Sequence, residues 1–300
     1  MENDLRGNIL RIEKSSIFDG SGLRTVVFFK GCPLRCRWCS TPESQSFAAQ
    51  RGHDTALCAG CGLCASQCPT KMGPDDHRAA DCQFCGNCVT FCPQHANIIY
   101  GREMQVSELL EIIAKDDVFY FHSDGGLTLS GGEPLCQPEF AAALLKGARE
   151  LGVHTAIESS FYAPYPAVEQ LLPHLDHVFC DIKHMDAAAH LSHTRVDNQL
   201  ILENITAAAA SPFPFTMTAR LPLIPGLNDS AQNLTATARF CATLARPVQL
   251  ELLPYHRLGL NTYRKLGLPD PLPGVEPPSA AEMADYRKIA ANAAPGLVVR

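Results

Sequence analysis

The chain has 300 residues, 46% apolar and 19% charged, enough for a sizeable core in one large domain or two small ones. Its 25 basic and 31 acidic residues leave a net charge of −6, which excludes a basic footprint for nucleic acid and a polybasic membrane patch. The opening MENDLRGNILRIEKSS lacks the apolar core of a secretion signal, and no apolar run reaches the length of about 18 residues that spans a bilayer, so a cytoplasmic location is expected.

In chain order, the first predicted strand is RTVVFF (24–29), a short apolar run rich in valine and phenylalanine. Directly after it come Cys32, Cys36 and Cys39, spaced C-x3-C-x2-C. The chain holds 14 cysteines, and in a reducing compartment that number favours metal or redox use over disulfides. Three of them, Cys136, Cys180 and Cys241, are scattered and read as small buried hydrophobes.

The next segment carries two copies of C-x2-C-x2-C-x3-C-P, CAGCGLCASQCP (58–69) and CQFCGNCVTFCP (82–93). This is the run of bacterial ferredoxins, whereas zinc ribbons use separated C-x2-C pairs. Three thiolates on a tight loop each reach one iron of a cubane, and the fourth, before the proline, turns to the other cluster. That spacing assigns Cys58, Cys61, Cys64 and Cys92 to one [4Fe–4S] cluster, and Cys82, Cys85, Cys88 and Cys68 to a second; a pair of zinc sites is the alternative. Residues 51–101 are therefore expected to form an inserted ferredoxin-like domain, held by its clusters more than by a core. Two adjacent cubanes form an electron relay, which implies an acceptor in the main domain, residues 1–50 and 102–300.

Beyond the insert, SELLEIIAKD (107–116) has helical spacing with Ser107 as the expected N-cap, and GLTLS (126–130) reads as a strand. PEFAAALLKGARELG is a helix with a proline start and a glycine stop. The alternation continues through strands VHTAIES, HVFCDIK, FTMTARLPLI and PVQLELLPY and helices YPAVEQLLPHL, DNQLILENITAAAA, SAQNLTATARFCATLA and SAAEMADYRKIAANAA. About six β/α units argue an α/β fold, a parallel sheet with helices outside. Sites in such folds lie beyond the C-terminal strand ends, where the cysteine triplet, SGGEP, ESS, DIK, RLPLIPG and LPYH all fall.

A [4Fe–4S] cubane held by three cysteines leaves one iron open, the mark of a reactive site. The triplet, with GGEP after the next strand, resembles the radical S-adenosylmethionine (SAM) superfamily. DGSGLRTVVFFKGCPLRCRWC, GGLTLSGGEPLCQPEF, DIKHMD, RLPLIPGLND and LPYHRLG further resemble the glycyl radical enzyme activating enzymes, the group of pyruvate formate-lyase activating enzyme, across nearly the whole chain outside the insert. The resemblance implies an incomplete (β/α)6 TIM-like barrel, three [4Fe–4S] clusters and SAM. It also implies a protein that takes electrons from reduced flavodoxin or ferredoxin and abstracts a glycine Cα hydrogen from a partner glycyl radical enzyme; a monomer is the default expectation.

The resemblance also implies roles for single residues. Cys32, Cys36 and Cys39 bind the catalytic cluster, and Trp38 packs near adenine. Ser130, Gly131, Gly132 and Glu133 lie along the methionine amino group. Glu158, Ser159 and Asp181 share a monovalent cation site near the SAM carboxylate, which Lys183 pairs with; Arg220 and His256 sit at the SAM and substrate end. The chain departs from the family pattern at Ser21 (commonly proline), Thr41 (often asparagine) and Glu158 (usually aspartate). The rival readings are a radical SAM enzyme for another substrate and a non-catalytic electron carrier, though a carrier needs neither an open triplet nor a GGEP turn.

Overall fold

The computed structural model describes residues 4–74, 76 and 81–300; residues 1–3, 75 and 77–80 of the two expected domains lie outside the described residues. Strands β1 (Arg6–Ser16) and β2 (Arg24–Phe29) are antiparallel neighbours. Strands β3 (Gln50–His53) and β4 (Asn97–Tyr100) pair in a separate two-stranded sheet, and two single-turn helices, α1 (Leu63–Ser66) and α2 (Asn87–Thr90), lie between them in the chain. Strand β5 (Arg102–Gln105) returns to pair with β1.

The alternating part follows: α3 (Val106–Ala114), α4 (Asp117–Ser123), β6 (Gly126–Gly131), α5 (Pro138–Glu150), β7 (His154–Ser159), α6 (Tyr165–Leu171), β8 (His177–Asp181), α7 (Ala187–Thr194) and α8 (Gln199–Ala210). It continues with β9 (Thr216–Leu223), α9 (Ala231–Thr243), β10 (Val248–Pro254), α10 (Leu260–Lys265), α11 (Ala280–Ala293) and β11 (Val298–Val299). The nine-stranded sheet runs β11-β10-β9-β8-β7-β6-β2-β1-β5 and is parallel from β11 to β2. It is an open, mostly parallel α/β sheet, as a partial barrel requires.

Strands β2 and β6 are buried almost throughout, as expected of parallel strands covered on both faces. Helix α5 shows the opposite pattern. Phe140, Ala141, Leu144, Leu145 and Ala148 form one buried stripe facing the sheet, and Gly152 with φ +74° follows its end.

Two expectations change. Helix α3 starts at Val106 with Gln105 as its N-cap, so Ser107 lies inside the first turn. The reason is Glu108, whose carboxylate reaches back to the Gln105 N–H at 2.6 Å. The N-terminal residues form the long antiparallel strand β1, which capping signals and β/α alternation do not reveal. Of the three scattered cysteines, Cys180 and Cys241 are buried as expected, but Cys136 is half-buried. Among the described residues no helix is long and apolar enough to cross a membrane.

Candidate functional site

Beyond the C-terminal strand ends lies a cavity of about 470 Å³. Its wall includes Cys32, Cys36, Trp38 and Cys39 after β2, Ser130, Gly131 and Gly132 at the end of β6, and Glu158 and Ser159 of β7. Asp181, Lys183, Arg220 and His256 complete it from β8, β9 and the segment after β10. A larger hollow of about 580 Å³ opens at the other end of the sheet, near Phe121, Gly125 and His154, and none of the predicted site residues lines it.

The DGSGLR segment is anchored from below. Arg24 is fully buried and donates to Thr128 Oγ1 and to the Leu127 carbonyl, both at 2.6 Å. Thr128 Oγ1 in turn donates to the Asp19 carbonyl at 2.7 Å, which brings Asp19 to the cavity wall. The glycine turn allows close backbone approach. A Cβ on Gly132 would stand 2.2 Å from the Gly31 carbonyl oxygen, and Gly131 holds φ +100°. Gly132→Ala must therefore push the turn away from the triplet loop. It is expected to cost about 1–3 kcal/mol of stability, read by thermal unfolding; a wild-type melting temperature would contradict this close approach.

Burial pushes the thiols of Cys32, Cys36 and Cys39 upward, Cys39 to about 12, while Lys183 draws Cys36 back down. Lys183 Nζ donates to Asp181 at 2.9 Å. Burial opposes its charge, but Asp181 and Cys36 outweigh that and hold the ammonium above the usual lysine range. Trp38 packs with Ile224, Tyr255 and Leu272, and its ring meets that of His193 at 5.9 Å between centroids. His256 is exposed at the cavity's edge.

Arg220 links several segments at the cavity wall. Its Nε donates to Glu251 at 2.7 Å, one terminal nitrogen donates to Glu158, and the other reaches the Phe18 carbonyl at 3.2 Å. Its guanidinium also lies 3.7 Å over the Phe179 ring. Glu158 accepts a further bond from Ser130 Oγ at 2.6 Å.

Two placements differ from expectation. Glu133 is fully buried and faces away from the cavity, accepting from Ser159 Oγ (2.7 Å), Ser160 N (2.9 Å) and Leu135 N (3.2 Å). Its carboxylate ties the loop after β6 to the loop after β7, because a carboxylate among several N–H and O–H donors is better solvated there than in an apolar wall. The oxygens expected to share a cation are engaged elsewhere: Ser159 with Glu133, Glu158 with Arg220 and Ser130, Asp181 with Lys183. Asp19 and Ser160 lie inside the DGSGLR and ESS segments without a role expected of them, and Glu251 carries no motif that would have flagged it.

The two ferredoxin-type runs repeat each other locally. Gly62 (φ +72°) and Gly86 (φ +82°) each open a four-residue helix. Cys58, Cys61, Cys64 and Cys92 line one small cavity, and Cys68, Cys82, Cys85 and Cys88 line another. The Gly60 N–H donates to Cys58 Sγ at 3.4 Å and the Ala96 N–H to Cys92 Sγ at 3.3 Å, the donors that clustered thiolates take. Among the described residues no group of three or more His, Cys, Asp or Glu side chains converges on a single metal ion. A cubane asks for something else, one thiolate per iron around a larger body, and the three cysteine-lined cavities suit that.

The profile of the Radical SAM superfamily matches residues 79–238. The chain is 40% identical to the isethionate sulfite-lyase activating enzyme of Desulfovibrio desulfuricans over 91% of its own length and 90% of the relative's. It is also 40% identical to the choline trimethylamine-lyase activating enzyme of Oleidesulfovibrio alaskensis, over 89% of each. A solved radical SAM methyltransferase from Sphaerobacter thermophilus matches with a TM-score of 0.57 at 14% identity, covering 97% of this chain and 76% of that one, a likeness of fold alone.

Proposed function

Because the chain belongs to the radical SAM superfamily, among the activating enzymes of glycyl radical enzymes, we propose that the cysteine-lined cavity is where it readies SAM to activate a partner. The observation that carries this reading is the meeting in one cavity of three thiols from one loop, a glycine turn and the charged groups Lys183, Asp181, Glu158 and Arg220. Cys32, Cys36 and Cys39 would hold a [4Fe–4S] cluster there, which would supply the electron that cleaves SAM to methionine and the 5′-deoxyadenosyl radical that takes the glycine hydrogen.

The chain's own residues bind and aim. Lys183 offers its charge to the SAM carboxylate. The Gly131–Gly132 backbone approaches the methionine amino group, which side chains there would block. Trp38, Ile224 and Tyr255 form the apolar wall that receives adenine and excludes water. Arg220 and Lys183 supply the positive charge that the expected monovalent cation would bring to this end. His256 stands where the partner's glycine segment arrives, and a glycine suits because it presents its Cα with no side chain in the way.

We further propose that residues 51–101 are a ferredoxin-like insert whose two clusters pass electrons inward from reduced flavodoxin or ferredoxin, and that the protein works as a cytoplasmic monomer. The relatives' names make isethionate sulfite-lyase and choline trimethylamine-lyase the first partners to try. The experiment is anaerobic reconstitution with iron and sulfide, reduction in excess SAM, and EPR with each lyase. The expected result is about twelve irons per chain, 5′-deoxyadenosine release, and a glycyl radical signal on a lyase. Release with no radical on either lyase favours a different protein substrate, and full iron loading without SAM cleavage overturns the enzyme reading.

A further inference from the structure

Four consecutive carbonyls, from residue 43 to residue 46, are all taken up by residues 30–32. Lys30 Nζ donates to the Glu43 carbonyl at 2.7 Å and the Ser46 carbonyl at 2.6 Å. Between them, the Gly31 N–H donates to the Ser44 carbonyl at 2.7 Å and the Cys32 N–H to that of Gln45 at 3.4 Å. The third Lys30 contact is Gln50 Oε1 at 3.1 Å. Lys30 is 1% exposed, so its three protons find three protein acceptors where water cannot serve them.

The same side chain touches both stems of the 51–101 segment. Gln50 opens β3, and Gly101 directly follows β4. A Cβ on Gly101 would stand 2.9 Å from Lys30 Cδ and Cε, so only glycine leaves room for the lysine's methylenes. The loop between the two pinned ends carries Cys32, Cys36 and Cys39. Within it, backbone bonds are sparse: the Cys39 N–H reaches the Cys36 carbonyl at 3.2 Å, and the Arg35 and Arg37 N–H groups turn outward to Thr194 and His193. Its shape therefore depends on those two bonds to the end of α7 and on how its own ends are held.

We propose that Lys30 is a positioning residue. Its ammonium gathers the 43–46 carbonyls across residues 30–32, so that the three cysteines stand in place before any iron arrives, and it fastens this loop to both stems of the insert. The consequence for SAM binding rests on the triplet being the cluster site.

The test is Lys30→Met in the full chain, which keeps the stem and removes the charge. In cluster-free protein, alkylation of Cys32, Cys36 and Cys39 by iodoacetamide is followed by mass spectrometry, with the exposed Cys61 and Cys85 as internal standards. The variant is expected to react about tenfold faster at Cys32, Cys36 and Cys39 and unchanged at Cys61 and Cys85, as local opening replaces a held loop. After reconstitution and reduction, the SAM-induced change in the EPR line shape should require about tenfold more SAM. A folded variant with wild-type alkylation and wild-type SAM titration overturns the proposal. If circular dichroism shows Lys30→Met unfolded, Gln50→Met, which removes one acceptor, decides in the same way with a smaller shift. Should the wild type show no SAM response, the cluster reading fails, while the alkylation still judges Lys30 by itself.

Discussion

Cys36→Ala is expected to bring 5′-deoxyadenosine formation below detection while leaving the rest of the molecule intact. Cys36 occupies the middle of the triplet loop and faces the cavity beside Lys183. With alanine there, two thiolates remain for a cubane that already has one iron without a protein ligand, and a second open iron leaves the cluster labile. Reconstituted iron should fall by about a third if the chain carries three clusters of four irons. The EPR signals of the insert should persist, because their eight cysteines lie in separate cavities. Among the described residues no other cysteine lines this cavity, so rescue from within is not expected. A Cys36→Ala protein that still cleaves SAM would remove the triplet from the mechanism.

Arg220→Met should be the most damaging change to stability at this end of the sheet. Strand register sets Arg220 beside Asp181 on one neighbour and Glu251 on the other. Its own side chain is 9% exposed and that of Glu158 16%, so losing the guanidinium strands Glu158 among buried groups. Breaking a buried pair from one side costs about 3–5 kcal/mol. Glu251, a third exposed, is screened by solvent and adds little. Burial already pushes Glu158 up to about 7 against the pull of Arg220. Folded Glu158 thus holds its proton more tightly than the unfolded chain does, and its contribution to stability declines as pH rises from about 4.3 toward 7. Without Arg220 the decline should extend to higher pH, and the variant's deficit should shrink toward acid pH. Denaturant unfolding at pH 5 and pH 8 measures both. Glu158→Gln added to Arg220→Met should recover part of the loss, since the stranded charge is gone. An Arg220→Met protein as stable as wild type at pH 8 would mean that water reaches the pair.

Much of this molecule is legible in the chain because the signals are local. The spacing of Cys58 to Cys92 fixes which thiols fold back on one another, and the structure draws them into two cavities of four. The strand–helix alternation from residue 126 onward follows from periodicity, caps and punctuating glycines, each written within a few residues. The cysteine triplet, the Gly131–Gly132 turn, and Asp181 and Lys183 of DIK reach one cavity because every parallel strand points its C-terminal end the same way.

Other features were decided only when distant segments met. Nothing near Glu133 announces that its carboxylate will turn from the cavity to Ser159 and Ser160. Arg220 pairs with Glu158 and Glu251 because β9 lies between β8 and β10 in one particular register, and a shift of one residue would reverse its face. Lys30 reads in the sequence as a lysine between an apolar strand and a glycine; its acceptors belong to a loop that returns only after the cysteines have been passed. Ligand spacing and periodicity are properties of neighbours in the chain, whereas the partner of a buried charge is chosen by whichever strands and loops close around it.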